Sequence, residues 1–322
     1  MAINHHAKPL TVVVAVIQNE QGQVLISQRA KDAHQGGLWE FPGGKVEPAE
    51  SSQEALYREL LEEVNLSIHS AKPLLKIHHH YPDLFVCLDV YLVTSYQGEA
   101  VGMEGQVVKW VDINCLEGIE FPVANKAIIK SLMLPRYYPI VDESIGSVDQ
   151  MLEHLMALIE QGYSMIQWRV KSLDTRAYKA ITKKALELCR ERKAVLFLNT
   201  SVDMAMALSA QAVHLDTQTI KNFSGDLPEN MLYAASCHSS EEIRQAHGLG
   251  VLFAVLSPVS RTKSHPEARP LGWSTFALMA DKFAMPIFAL GGMKLTDLET
   301  AMRNNACGIS GIRGFLTNKI NG

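Results

Sequence analysis

The chain has 322 residues, 47% apolar and 20% charged, with a formal net charge of -4. That length suggests two domains, and the balance excludes both a disordered chain and a polyanion-binding surface, so no nucleic-acid polymer is expected as a partner. Five cysteines, Cys87, Cys115, Cys189, Cys237 and Cys307, are spaced too widely for a paired metal motif or a dense disulfide pattern, which points to a reducing cytoplasm.

The first apolar run, LTVVVAVI, spans only residues 10–17 and is followed by the polar turn QNEQGQ. It reads as a buried strand, not a signal or a membrane span. QVLISQR lies on the other side of that turn, and LFVCLDVYLVT and QVVKWVDI come later, so residues 9–110 read as a mixed sheet with few helices. Between them lies GGKVEPAESSQEALYRELLEEVNL, Gly43 to Leu66. At about 100° per residue, Glu59, Glu62 and Glu63 fall within roughly a 100° arc, while Leu56, Tyr57, Leu60, Leu61 and Val64 fill the other side. Like charges at this spacing cost about 0.2 to 0.5 kcal/mol per pair, and acids near a helix C-terminus oppose its dipole. A positive partner is therefore expected. Ser51 and Glu54 have capping-box spacing at the start of this helix, and Asn65 suits a left-handed stop at its end.

A second helix is expected over residues 125–132, after which the two prolines of MLPRYYP break the pattern. The domain boundary is placed there, giving residues 1–134 and 135–322. The rhythm then changes to strand-like runs, YYPIVD, SMIQWRV, AVLFLNT, AVHLD, LYAASC, VLFAVLSP, PIFALGG and CGISGI, separated by amphipathic stretches. Ser147 with Gln150 and Ser239 with Glu242 supply helix caps. These units predict a (β/α)8 barrel of the TIM type, with a doubly wound sheet as the alternative.

The acidic segment reads Gly44, five residues, Glu50, seven residues, Arg58-Glu59-Leu60, one residue, Glu62-Glu63, one residue, Asn65-Leu66. This spacing resembles the Nudix box, with Asn65 where the family has its final glycine. The chemistry explains the pattern. Mg²⁺ takes oxygen ligands and keeps several waters, so carboxylates on one helical face can hold it beside a substrate diphosphate. Bound metal makes water a better nucleophile and stabilises charge on phosphoryl oxygens. The resemblance thus implies an α/β/α sandwich with a mixed sheet. It also implies Mg²⁺, or alternatively Mn²⁺, on Glu59, Glu62 and Glu63, with the backbone of Gly43 and Gly44 close enough to join. Arg58 is expected to orient a neighbouring glutamate, the alternative being an ordinary surface ion pair. Glu47 and Glu50 read as structural parts of the loop.

Over roughly residues 8 to 132 the chain resembles the MutT branch of that family, which hydrolyses 8-oxo-dGTP to the monophosphate and pyrophosphate. The resemblance runs through AVIQNEQGQVLISQRAKDAHQGGLWEFPGGK, HHHYPDLFVCLDVYLV, GMEGQVVKW and FPVANKAI. It makes Glu104 a further metal-associated carboxylate. It places Arg29, His34, Phe41 and Asn125 at nucleotide contacts, and Glu40, Phe41, Pro42 and Gly43 in the base-recognition and metal loop. Asn125 has a case of its own: 8-oxoguanine carries a hydrogen on N7, and an amide offers one donor and one acceptor to the oxidised edge. The alternative is a helix N-cap. Asp83 matches a base-contacting carboxylate, although Leu84 replaces a basic neighbour. His78, His79 and His80 alternate in an extended strand and cannot converge on one metal, so they read as surface histidines. Trp39 reads as packing.

Roughly residues 137 to 316 resemble thiamine phosphate synthase through IQWRVKS, FLNTSVDMAMAL, AVHLD, SCHSSEEI, LSPVSRTKS and FALGGM. The resemblance implies that Arg169, Lys171, Asn199 and Lys263 face phosphate groups and that Gly291 and Gly292 bind phosphate through backbone amides. Two departures matter. Thr200 and Thr219 stand where the synthase pattern has Mg²⁺-binding aspartates, with Asp203 and Asp216 nearby but out of register. Synthase activity is therefore expected to be lost or altered, with binding of a thiamine-related phosphate retained. The expected function is nucleoside triphosphate pyrophosphohydrolysis that removes 8-oxo-dGTP. The alternatives are hydrolysis of thiamine diphosphate-related compounds and a hydrolase regulated by a ligand-binding barrel.

Overall fold

The computed structural model describes residues 10–31, 35–81, 84–223, 225–262, 267 and 269–316. Its backbone divides into two compact units, one of residues up to 134 with 281–284, the other of residues 135–280 with the chain from 285 onward.

The first unit contains β1 (Leu10–Ile17), β2 (Gln23–Gln28), β3 (Trp39–Glu40), α1 (Ser52–Val64), β4 (Ser67–His80), β5 (Phe85–Gln97), β6 (Val108–Asp112) and α2 (Asn125–Met133). β1 pairs parallel with β5 and β5 antiparallel with β4, while β2 pairs antiparallel with both β3 and β6. These form two three-stranded sheets, of which β1-β5-β4 is mixed, as expected, and β3-β2-β6 is antiparallel. α1 lays Ala55, Leu56, Leu60 and Val64 against Val13, Ala15, Ile17 and Leu25. Removing those side chains from water stabilises the fold at about 25 cal/mol per Å² of apolar area. Leu61 is a correction: it is 51% exposed, because it lies about 100° around the helix from the stripe Leu56, Leu60 and Val64.

β4 was not expected as a strand along its length. Its sequence, SIHSAKPLLKIHHH, carries Pro73 and six His or Lys residues and alternates poorly. It is tolerated because β4 is an edge strand, where a residue without an N–H leaves no ladder bond unmade, and its register slips near Ser70 and Pro73.

The second unit alternates strands and helices: β7 (Tyr137–Asp142), α3 (Val148–Glu160), β8 (Met165–Arg169), α4 (Thr175–Glu191), β9 (Val195–Leu198), α5 (Val202–Ala207) and β10 (Ala212–Leu215). It continues with α6 (Thr217–Asn222), β11 (Leu232–Cys237), α7 (Ser240–Gly248), β12 (Phe253–Leu256), α8 (Gly272–Ala280), β13 (Ile287–Leu290), α9 (Leu298–Arg303) and β14 (Gly308–Gly311). All the strands from β7 to β14 run parallel, and β14 pairs with β7 to close the barrel. Closure decides against the doubly wound alternative. Among the described residues no helix is long and apolar enough to cross a membrane.

The barrel interior is aromatic. Tyr138 meets Phe197, Phe253 and Phe288 at centroid distances of 5.6, 4.9 and 5.9 Å. One polar chain crosses it, with Tyr138 Oη 3.1 Å from His214 Nδ1 and His214 Nε2 2.8 Å from Ser236 Oγ. Burial pushes the His214 imidazole down to about 3, since a charged ring there would lose its hydration. An unfolded histidine titrates near 6.5, so between those values the unfolded chain holds the extra proton and stability falls as pH falls. From pH 7 to pH 5 this residue should remove about 2 kcal/mol of barrel stability. Urea unfolding at the two pH values checks this: His214→Gln should lose that part of the pH dependence, and an unchanged slope would contradict it.

Candidate active site

The loop before α1 is laid along β1. Val13 N donates to Gly44 O at 2.8 Å, Ala15 N to Pro42 O at 2.8 Å and Val46 N to Thr11 O at 3.1 Å. Gly43 sits between two of these bonds with φ at +148°, and a Cβ there would lie 2.1 Å from Val13 O. Only glycine permits that approach. Gly43→Ala should therefore destabilise the first unit by about 1 to 3 kcal/mol, readable as a lowered urea midpoint; an unchanged midpoint would contradict the strained geometry. Gly44 faces the helix instead, where a Cβ would fall 2.1 Å from the Glu59 carboxyl carbon. The Gly-Gly pair is thus the gap through which α1 presents its carboxylates to the backbone.

α1 begins with the expected capping box between Ser51 and Glu54 and stops at Asn65, whose φ of 59° and ψ of 32° place it in the left-handed region. Arg58 is the organiser of its acidic face. Its Nε and Nη2 donate to the two oxygens of Glu50 at 2.9 Å each, and its Nη1 reaches Glu59 at 2.9 Å and Glu62 at 3.1 Å. It also donates to Lys45 O at 3.1 Å. The positive partner implied by the crowded acids is this guanidinium, and it joins helix to loop. The sequence reading missed that Glu50, assigned to the loop, is one of its partners.

The glutamates then separate by environment. Gly43 N–H donates to Glu63 Oε2 at 3.1 Å. Burial nevertheless pushes the Glu63 carboxyl up to about 8, helped by the nearby carboxylates of Glu40, Glu59 and Glu104. Burial also raises Glu59 despite Arg58, and raises Glu40 despite its ion pair with Arg29. Glu62 is different: its side chain is 58% exposed and turned to Arg58. Glu59, Glu63, Glu104 and Glu40 therefore share one electrostatic neighbourhood, with Glu62 at its rim. Among the described residues no three such side chains stand as a finished metal cage. The donor set is nonetheless oxygen only, mutually repelling and set against a glycine backbone gap, which fits a hard divalent cation.

Across the same loop, Phe41 is buried and stacks on Phe121 at 5.5 Å between centroids. Asn125 follows Ala124, which caps α2 without any side-chain bond, so Asn125 is the first helical residue and not its N-cap. It is 7% exposed, and its Oδ1 is buried without a hydrogen-bond partner among the described residues. A buried acceptor left unpaired costs about 1 to 3 kcal/mol, which a ligand donor would offset. His34 and Asp83 lie outside the described residues. Trp39 is half-buried, with Lys109 Nζ 3.9 Å from its ring centroid. His78 and His79 are half-buried instead of free on the surface: His78 Nε2 lies 3.5 Å from Cys87 Sγ, and His79 meets Tyr81 edge-on.

At the C-terminal end of the barrel strands, Arg169 donates to Asp142 Oδ2 at 3.0 Å and Lys171 Nζ lies 3.7 Å from Asp216 Oδ2. Asp216 Oδ1 in turn accepts from Thr219 N at 2.9 Å and Thr219 Oγ1 at 2.8 Å. Asn199 Nδ2 is engaged by His214 O at 2.9 Å. Gly291 and Gly292 take φ values of 112° and 70°, and a Cβ on Gly291 would lie 2.8 Å from Pro258 Cα. Lys263 lies outside the described residues. The rim carboxylates Asp142 and Glu143 were missed by the sequence reading, whose only signal for them was the aspartate closing YYPIVD.

Comparison with known proteins assigns both units. Residues 13–131 match the NUDIX domain family and residues 137–315 the thiamine monophosphate synthase family. The 8-oxo-dGTP diphosphatase of Escherichia coli is 38% identical over 125 residues, covering 39% of this chain and 97% of that protein. The enzyme of the same name from Haemophilus influenzae is 36% identical, covering 39% and 93%. The thiamine-phosphate synthase of Pyrococcus furiosus is 27% identical over 166 residues, covering 51% and 80%. The chain belongs to both families.

The Nudix unit is accordingly a hydrolase of phosphoric anhydrides in a family that uses divalent metal ions. The synthase-family barrel keeps the cationic side chains Arg169 and Lys171 at its mouth, each facing an aspartate of the same chain.

Proposed function

We propose that the Nudix domain, residues 1–134, is a Mg²⁺-dependent nucleoside triphosphate pyrophosphohydrolase. Its preferred substrate is 8-oxo-dGTP, and its role is to cleanse the cytoplasmic nucleotide pool and so avoid mutation. The observation that carries the specificity is the buried Oδ1 of Asn125, without a hydrogen-bond partner among the described residues and suited as an acceptor to the N7 hydrogen that guanine lacks. The similarity to 8-oxo-dGTP diphosphatases supports the same reading.

Glu59, Glu62, Glu63 and Glu104, with the backbone of Gly43 and Gly44, would hold the cation. When bound, it supplies neutralisation of phosphoryl charge and a more acidic water. The chain's own contribution is position. Arg58 fixes Glu59 from one side, and the Gly43 N–H fixes Glu63 from the other. Arg29 and Glu40 form a charged pair beside Phe41, where the base and sugar would lie. Attack at an inner phosphorus releases pyrophosphate. Product analysis tests this: the monophosphate and pyrophosphate are expected, and orthophosphate alone would overturn the proposal.

For the barrel, residues 135–322, we propose binding of a thiamine-related phosphate without synthase turnover. Thr219 is occupied in holding Asp216, and the neutral Thr200 and Thr219 cannot neutralise a metal-bound diphosphate as carboxylates would. Calorimetry of the full chain with thiamine phosphate should show binding. Thiamine phosphate formed from the two usual precursors would contradict the loss of turnover.

A further inference from the structure

Glu104 is exposed and sits in a loop, yet its charge reaches both Glu59 and Glu63. An exposed loop carboxylate gains no fixed position from packing, so something else must hold it. The hydrogen bonds identify the holder. Gln106 Oε1 accepts from Glu104 N at 2.8 Å, while Gln106 Nε2 donates to Glu63 O at 3.0 Å. One side-chain amide thus joins the backbone of Glu104 to the backbone of Glu63. Met103 N reaches the same carbonyl at 2.9 Å, and Val101 N reaches Val64 O at 3.2 Å, so the loop is sewn to the last turn of α1. These bonds use helix C-terminal carbonyls that have no partner within the helix. Gly102 completes the arrangement, since a Cβ there would lie 2.0 Å from Gln106 O and 2.9 Å from Gln106 Oε1. Glu63 is consequently held at both ends, by Gly43 at its carboxylate and by Gln106 at its carbonyl.

We infer that Gln106 is a positioning residue for the hydrolase: its amide fixes the backbone of Glu104 against the end of the helix that carries Glu59 and Glu63, so that a divalent cation meets the carboxylates in one geometry. The inference rests on the hydrolase reading of this site. Both polar ends of the amide are needed, one acceptor for the loop and one donor for the helix. A near-isosteric methionine keeps the volume and removes both.

The test is a double-mutant cycle in the full chain with Gln106→Met, Glu104→Ala and the combination, read by Mn²⁺ titration calorimetry and by Mg²⁺-dependent nucleotide hydrolysis. Gln106→Met should weaken Mn²⁺ binding and lower kcat by about tenfold to a hundredfold, as loss of a ligand-orienting partner does. In the Glu104→Ala background the same change should add less than about twofold, because the residue it positions is gone. Equal losses in both backgrounds, or no loss in either, would overturn the inference. Gln106→Asn serves the same cycle if the methionine variant does not fold, its shorter amide being unable to span both partners. Coupled effects on Mn²⁺ binding without nucleotide hydrolysis in the wild type would uphold the role of Gln106 while rejecting the hydrolase reading. No Mn²⁺ binding by the wild type would reject both.

Discussion

Glu63→Gln is expected to lower kcat for nucleotide hydrolysis by about 10²- to 10⁴-fold while leaving the fold intact. The substitution keeps the side chain's volume and an oxygen able to accept the Gly43 N–H bond, so the helix and loop remain joined. It removes the carboxylate at the centre of the cluster, the one whose neighbours include Glu40, Glu59 and Glu104. A carboxamide stays neutral, whereas the Glu63 carboxyl, raised by burial, would give up its proton on binding a cation and neutralise it. Glu62→Gln should cost much less, because Glu62 is turned outward to Arg58. Steady-state kinetics with thermal melts of both variants check the contrast. Equal losses at the two positions, or a melt shift that accounts for the lost rate, would contradict the division of the acidic face into a cluster and a rim.

Asn125→Ala is expected to reduce the preference for 8-oxo-dGTP over dGTP by about 5- to 150-fold, the range that corresponds to 1–3 kcal/mol for a two-point base contact. The loss should fall on kcat/KM for the oxidised substrate, with dGTP nearly unchanged. Normal guanine presents two acceptors on that edge and gains little from an amide oxygen. The oxidised base supplies the donor that the buried Oδ1 lacks. Measuring kcat/KM for both nucleotides separates this from a structural role. If the two values fall together, Asn125 supports the helix and does not read the base.

Much of this site was legible because its chemistry is local in sequence. The Gly-Gly pair, the helix cap at Ser51, the Asn65 stop and the acidic face all lie within one segment, where periodicity and spacing operate directly. The barrel was legible for a similar reason, since every strand carries its own apolar run. What escaped were features set by partners far along the chain. β4 reads poorly alone, and its edge position beside β5 explains both Pro73 and the weak alternation. The bond from Gln106 to the carbonyl of Glu63 spans a separation no pattern reports. The N-cap alternative for Asn125 turned on a one-residue shift, smaller than sequence signals resolve. At the barrel rim, Arg169 meets Asp142 across the adjacent strands β8 and β7, whereas Lys171 reaches Asp216 past the intervening β9, so the cations could be named while their partners could not.

The pairing of Lys171 with Asp216 bears on the barrel's role. An exposed ion pair is worth little, at most about 1 kcal/mol, so an incoming phosphate could displace it at small cost. The proposed binding of a thiamine-related phosphate is compatible with that pairing.

The decisive measurement competes 8-oxo-dGTP against dGTP on the 322-residue chain with Mg²⁺ present, following each nucleotide and pyrophosphate release in one reaction. 8-oxo-dGTP should be consumed first, by a kcat/KM ratio of about tenfold or more, with one pyrophosphate released per nucleotide. Consumption of the two nucleotides at equal rates, or release of orthophosphate alone, would contradict it.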